Sequence, residues 1–222
     1  QRTGYAESSR SHFEATDIFG TANPQVVGGS GWLGRYLDTL PRPLDALTAW
    51  NTGTGTPRTL VSAQTTVPSI PDADSYAFAS PNDGDVALEE RAAAQAMAAS
   101  PAAGRPHLAF VNGVNLSALD TLDRVATVSS YEGTVAYPGS GFGLALKTVA
   151  GAIARGIGSR VYWVSTGGYD THAQQGGADG NYANLMRTLG GGLGAFHSDL
   201  RNQGLADDTA VVVFSEFGRR VT

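Results

Sequence analysis

The chain has 222 residues, 41% of them apolar and 16% charged, which suits one globular core and argues against disorder of the whole chain. A formal net charge of −5 with no basic run gives no general attraction to nucleic acid or acidic lipid. Cysteine is absent, so disulfides and thiolate metal sites are excluded and a metal has only oxygen and imidazole ligands to use; no apolar stretch approaches the roughly 18 residues of a membrane span.

In chain order, Ser8-Ser9-Arg10-Ser11-His12-Phe13-Glu14-Ala15-Thr16-Asp17 reads as polar and weakly helical. Ser30-Gly31-Trp32-Leu33-Gly34-Arg35-Tyr36-Leu37 reads as a capped short helix with Trp32, Leu33, Tyr36 and Leu37 on one face. Residues 44–80 alternate brief apolar runs with Gly, Pro and Asp, the pattern of short strands or loops around a sheet. Residues 86–97 form a helix by propensity and residues 116–128 a second by apolar spacing, with a linker at 100–106 too short to separate domains. Phe142, Leu146, Val149, Ile153 and Ile157 make an apolar helical stripe, followed by a buried-strand run at 160–165. Tyr182, Leu185, Leu189, Leu193, Phe196 and Leu200 share one face of a further helix, and Ala210-Val211-Val212-Val213-Phe214 reads as another buried strand. A strand, a crossover helix and a second strand make a right-handed parallel unit, so both strands end on the same edge of the sheet. The fold class that follows is α/β, in a single domain over residues 1–222.

The chemistry gathers behind those two strands. Gly167-Gly168-Tyr169-Asp170-Thr171-His172 follows the first, and Ser215-Glu216-Phe217-Gly218-Arg219-Arg220 follows the second. Residues i and i+2 of an extended segment project to one side, so Asp170 and His172 converge just past the strand's carboxyl end, where open α/β sheets hold ligands. The alternative is a Gly-rich turn in which Asp170 satisfies local amides and His172 is solvated. The parallel unit brings Glu216 to the equivalent place. Two carboxylates and an imidazole suit zinc, manganese or magnesium without choosing among them. Arg219 or Arg220 clamps a phosphate or sulfate by bidentate hydrogen bonds, or is an exposed strand-end charge. His12 joins this site if the amino-terminal segment packs across it, and is otherwise a surface histidine; His107 and His197 read as structural or boundary residues.

Two other motifs fail on inspection. Gly139, Gly141 and Gly143 miss the phosphate-loop and dinucleotide spacings, because Leu146 precedes Lys147 and Leu144 stands where a third glycine belongs; they mark a turn and a helix start. A Gly-x-Ser-x-Gly nucleophile elbow is absent, which leaves a serine-hydrolase triad without support.

Taken in order, five stretches resemble the bacterial domain-of-unknown-function 1501 family, a branch of the alkaline-phosphatase and sulfatase-like superfamily. They are Arg10-Ser11-His12-Phe13 with Asp17, Gly31-Trp32-Leu33-Gly34-Arg35, Gly167 to His172, Ala195-Phe196-His197-Ser198-Asp199-Leu200 and Ser215 to Arg220, and they cover nearly the whole chain. The resemblance implies a three-layer α/β/α sandwich with a mostly parallel sheet and a metal site at strand carboxyl ends. It also implies an exported protein of the periplasm or cell envelope, a metal-dependent hydrolase acting on phosphate or sulfate esters of small molecules or polymers. Asp170, His172 and Glu216 then bind a divalent metal, with His12 and Arg219 near the substrate anion. Relatives of this kind carry a twin-arginine export signal, a first strand bearing the nucleophile, and a later Gly-Thr-Asp-His-Gly type segment. This chain has none of them, so it is expected to be a fragment whose nucleophile lies outside it. Where related phosphatases show an Asp-His pair, this chain reads Glu216-Phe217, and that lost imidazole sets up a second reading: a non-catalytic exported binding or assembly protein that retains the sandwich.

Overall fold

A computed structural model describes residues 11–25, 28–172 and 174–218. The first helix, α1 (His12–Thr21), starts where Ser11 caps it, the Ser11 hydroxyl accepting from the Glu14 amide at 3.4 Å. The second, α2 (Trp32–Asp38), has its N-cap at Gly31. The two glycines of Gly-Trp-Leu-Gly are a packing requirement: a Cβ would lie 2.1 Å from the Arg58 carbonyl oxygen at Gly31 and 2.0 Å from that of Val61 at Gly34. Only bare backbone lets α2 sit against the short 3-10 helix Arg58–Leu60 and the turn after it. Helix α1 docks on the same turn, since Asp17 pairs with Arg58 Nε at 2.8 Å through one oxygen and accepts from the Gly28 amide at 2.7 Å through the other. These contacts fix the position of the helix whose first residue is His12.

The sheet is small. Strand β1 (Ala49–Asn51) pairs in parallel with β2 (Val161–Trp163), Ala49 opposite Val161 and Asn51 opposite Trp163. Asn51 also bridges Ser69, its amide donating to the Pro68 carbonyl at 3.0 Å. Residues 44–80 therefore supply one strand, the 3-10 helix and loops. Both faces of the sheet are covered. On one, Trp50 packs with Leu47, Ile70, Val125, Val128, Ala152 and Ile157; on the other, Ala49 packs with Leu37, Leu60 and Val67.

Four longer helices follow among the described residues: α3 (Gly84–Ala98), α4 (Pro106–Ser129), α5 (Gly141–Ala154) and α6 (Asn181–Asn202). Helix α4 begins ten residues before the periodic segment read from the sequence, because Pro106 at its first turn presets the helical φ and gives up an N–H that no helix uses there. Helix α5 opens at the Gly139-to-Gly143 turn, with Ser140 Oγ accepting from the Gly143 amide at 3.1 Å. Its stripe meets α6 in a cluster of Leu146, Val149, Ala150, Phe196 and Leu200, each larger side chain contributing about 1.5–3 kcal/mol by leaving water. At the end of that interface Asp199 is fully buried. It accepts from the Tyr131 and Tyr137 hydroxyls at 2.8 and 2.7 Å and from the Thr134 amide and hydroxyl at 2.9 and 2.8 Å. A carboxylate out of water needs such donors, and these tie the 131–137 loop to α6.

The described residues form a mixed α/β fold, mostly helical, with only this two-stranded parallel sheet. The parallel pair is not the one expected from the strand, α6 and strand order. Residues 210–214 form no ladder, and all of them are exposed. A short apolar run specifies a strand only where a neighbour supplies backbone partners and cover for both faces, and none of the described residues does so here.

Candidate functional site

Three distant parts of the chain meet at one place on the surface. The loop after β2 turns at Gly168, with φ +88°, and reaches Asp170 and then His172, itself at φ +46°. It is held by the Tyr169 ring, which meets Tyr182 edge-on at 6.4 Å near the start of α6, and by the Gln174 amide donating to the Thr171 carbonyl at 2.8 Å. The carboxyl-terminal segment brings Glu216 in from an irregular run rather than from a strand end. Helix α1 presents His12 between them.

The contacts form one continuous chain. His172 Nε2 lies 2.9 Å from Asp170 Oδ2, and His12 Nε2 lies 3.4 Å from that same oxygen. His12 Nδ1 lies 3.2 Å from Glu216 Oε1, and Glu216 Oε2 accepts from the Ser215 hydroxyl at 3.3 Å. The His12 and Phe217 rings meet in a T-shaped arrangement, centroids 4.9 Å apart and planes at 82°. His12, Asp170 and Glu216 are half-exposed and His172 is largely exposed, so the cluster is open to water. Asp170 and Glu216 also stand in the wall of a cavity of about 1150 Å³ between α5, α6, β2 and the 210–218 segment, whose deeper lining includes Phe142, Leu146, Ile153 and Phe196.

Beside the cluster are two hydroxyl oxygens that make no hydrogen bond among the described residues although they are shut off from water: Tyr169 OH and Thr171 Oγ1. An unmet buried hydroxyl costs on the order of 1–3 kcal/mol.

Two imidazoles and two carboxylates are the right kinds of donor for a divalent ion. Among the described residues, however, no three of them are placed to share one. The cause is His12, whose two nitrogens face different carboxylates, so Asp170 and Glu216 lie on opposite edges of one ring, up to about 9 Å apart, two hydrogen-bond lengths plus an imidazole. Ligands of one ion stand about 2.0–2.6 Å from it, so sharing an ion requires His12 or a carboxylate to turn.

Of the residues singled out from the sequence, His12, Asp170, His172 and Glu216 are brought together, while Arg219 lies outside the described residues. His107 and His197, read as structural or boundary residues, take no part in the cluster. Sequence reasoning took Phe217 only as a lost imidazole and missed its ring contact with His12. It also missed Arg58, whose bond to Asp17 holds α1, and the unmet hydroxyls of Tyr169 and Thr171.

A family model described as protein of unknown function (DUF1501) matches residues 6–222, and the chain belongs to that family. Neither a curated protein nor a solved structure matches it.

Proposed function

We propose that this member of the DUF1501 family is the metal-binding part of a hydrolase acting on phosphate or sulfate esters. The observation that carries the reading is the gathering of His12, Asp170, His172 and Glu216 from three distant stretches into one run of contacts between 2.9 and 3.4 Å. Asp170, His172 and Glu216 would hold zinc, manganese or magnesium. Such an ion polarises an ester oxygen and offsets the charge that develops on it. His12 keeps two carboxylates near each other before an ion arrives, and with Arg219 it is assigned to the substrate anion. The wider proposal is that these residues are a fragment of an exported, alkaline-phosphatase-like α/β/α sandwich, whose nucleophile strand and final histidine lie in further polypeptide.

One observation favours the second reading, a non-catalytic binding or assembly protein: the aromatic ring of Phe217 rests against His12. The test is elemental analysis of purified chain equilibrated with each metal in turn, followed by hydrolysis of 4-nitrophenyl phosphate and 4-nitrophenyl sulfate with and without chelator. About one ion per chain, lost in Asp170→Asn, is the expected result for these 222 residues. Chelator-sensitive turnover rejects the second reading, and no metal under replete conditions rejects the first.

A further inference from the structure

Packed helices such as α5 and α6 stand about 8–10 Å apart, whereas two strands lie only about 5 Å apart. Among the described residues the sheet has two strands, so it covers only part of the apolar face that the helix pair presents to it. The uncovered part borders the cavity of about 1150 Å³ that also reaches Asp170 and Glu216. Phe142, Ile153, Leu189 and Leu193, all half-buried, line it together with the nearly buried Leu146 and Phe196. Residues 211–214 continue the wall with more apolar side chains, 43–71% exposed.

The charged side chains of the wall are those of Asp170 and Glu216 beside the cluster and of Arg58, Arg160 and Asp208. None of these five stands on α5 or α6, so the helical part of the lining is uncharged. A ligand that fills the cavity therefore meets ion-binding groups at one place and hydrocarbon over the helices. An apolar group leaves water favourably there, while the hydroxyls of a sugar would lose their water without replacement. We propose that the ester taken by this site is an amphiphile, with a phosphate or sulfate head at Asp170 and Glu216 and a long alkyl portion laid along α5 and α6. The head rests on the metal site proposed above, and the tail rests on the cavity alone.

Calorimetry with ethyl, hexyl and decyl phosphate, each below its micellar concentration, separates the two parts on zinc-loaded and zinc-free chain. Affinity should rise about threefold for each added methylene, hence about eightyfold from ethyl to hexyl phosphate, and should be higher with zinc at every length. Val211→Glu puts a carboxylate on the cavity wall at an exposed position, which spares the fold. It should weaken decyl phosphate binding about tenfold or more and leave ethyl phosphate unchanged. Phe110→Glu, 72% exposed on α4 and outside the cavity, should change neither. Affinity that is flat with chain length, or an equal loss in Val211→Glu and Phe110→Glu, would overturn the proposal and leave the cavity to further polypeptide. Equal affinity with and without zinc, with the chain-length dependence intact, would instead count against the metal reading and support the tail site.

Discussion

Replacing Asp199 by alanine removes an acceptor shared by five described donors, the Tyr131 and Tyr137 hydroxyls, the Thr134 amide and hydroxyl and the Gln203 side-chain amide. Asp199 is 0% exposed and Tyr131 8%, so water does not readily replace the lost carboxylate. With on the order of 1–3 kcal/mol for each donor left buried, and some of them turning to water, the expected loss is about 4 kcal/mol. For a urea m-value of about 2 kcal/mol/M the midpoint then falls by about 2 M at unchanged slope. Asp199→Asn keeps the shape but turns a donor toward donors and should lose about half as much. Burial pushes the Asp199 carboxyl up, but the Thr134 amide and the Tyr137, Thr134 and Tyr131 hydroxyls outweigh it and hold the carboxyl below its ordinary value. The contribution is therefore complete above the unfolded value of about 3.9 and disappears as pH falls through the folded one. Tyr131 runs the other way: burial, then its bond to Asp199, pushes it up to about 12, so its contribution is complete below about pH 10 and fades as pH rises toward 12. Urea melts of the unmodified and variant chains from pH 3 to 11 test both edges. A loss under about 1 kcal/mol for Asp199→Ala, or an acid edge that is as steep in the variant, would refute the reasoning.

Gly34→Ala puts a Cβ 2.0 Å from the Val61 carbonyl oxygen; overpacking against backbone should cost about 3 kcal/mol, read as a lower thermal midpoint, with loss of whatever metal binding depends on docked α1. Leu200→Ala, at 2% exposed, should cost about 3 kcal/mol in the same assay, whereas Val212→Ala, at 71% exposed, should change stability by less than about 0.5 kcal/mol. Comparable costs at the two positions would restore the buried strand over 210–214. His12→Ala should weaken binding of zinc at least tenfold by calorimetry while leaving the urea midpoint nearly unchanged, because the side chain is half-exposed.

The helices were legible where an apolar stripe repeats over several turns, as from Phe142 to Ile153 and from Tyr182 to Leu200, because core-facing positions recur with the helical period. The 210–214 run was misread for a physical reason: five consecutive apolar residues look alike whether or not a neighbouring strand exists to pair with them. Asp170 and His172 do meet, but through a turn in which His172 takes φ +46° and not through the extended segment that the spacing argument assumed, and Glu216 reached the same place without the strand that was meant to carry it. His12 depends on long-range packing, since Asp17, Arg58 and the bare glycines of α2 decide where α1 lies. Asp199 belongs to a stretch that carried the family resemblance, yet its role as a buried acceptor depends on donors more than 60 residues away.

The central claim is that Asp170, His172 and Glu216 hold one metal ion with His12 between their carboxylates, while the other two histidines of the chain, His107 and His197, take no part. Proton NMR of the four imidazoles during a zinc titration tests it with internal controls. The account predicts that the His12 and His172 resonances move together and saturate at one equivalent, that His107 and His197 stay in place, and that Asp170→Asn abolishes the response. Equal, unsaturated drift of all four resonances, or saturation at His107 or His197 in place of His12 and His172, would contradict it.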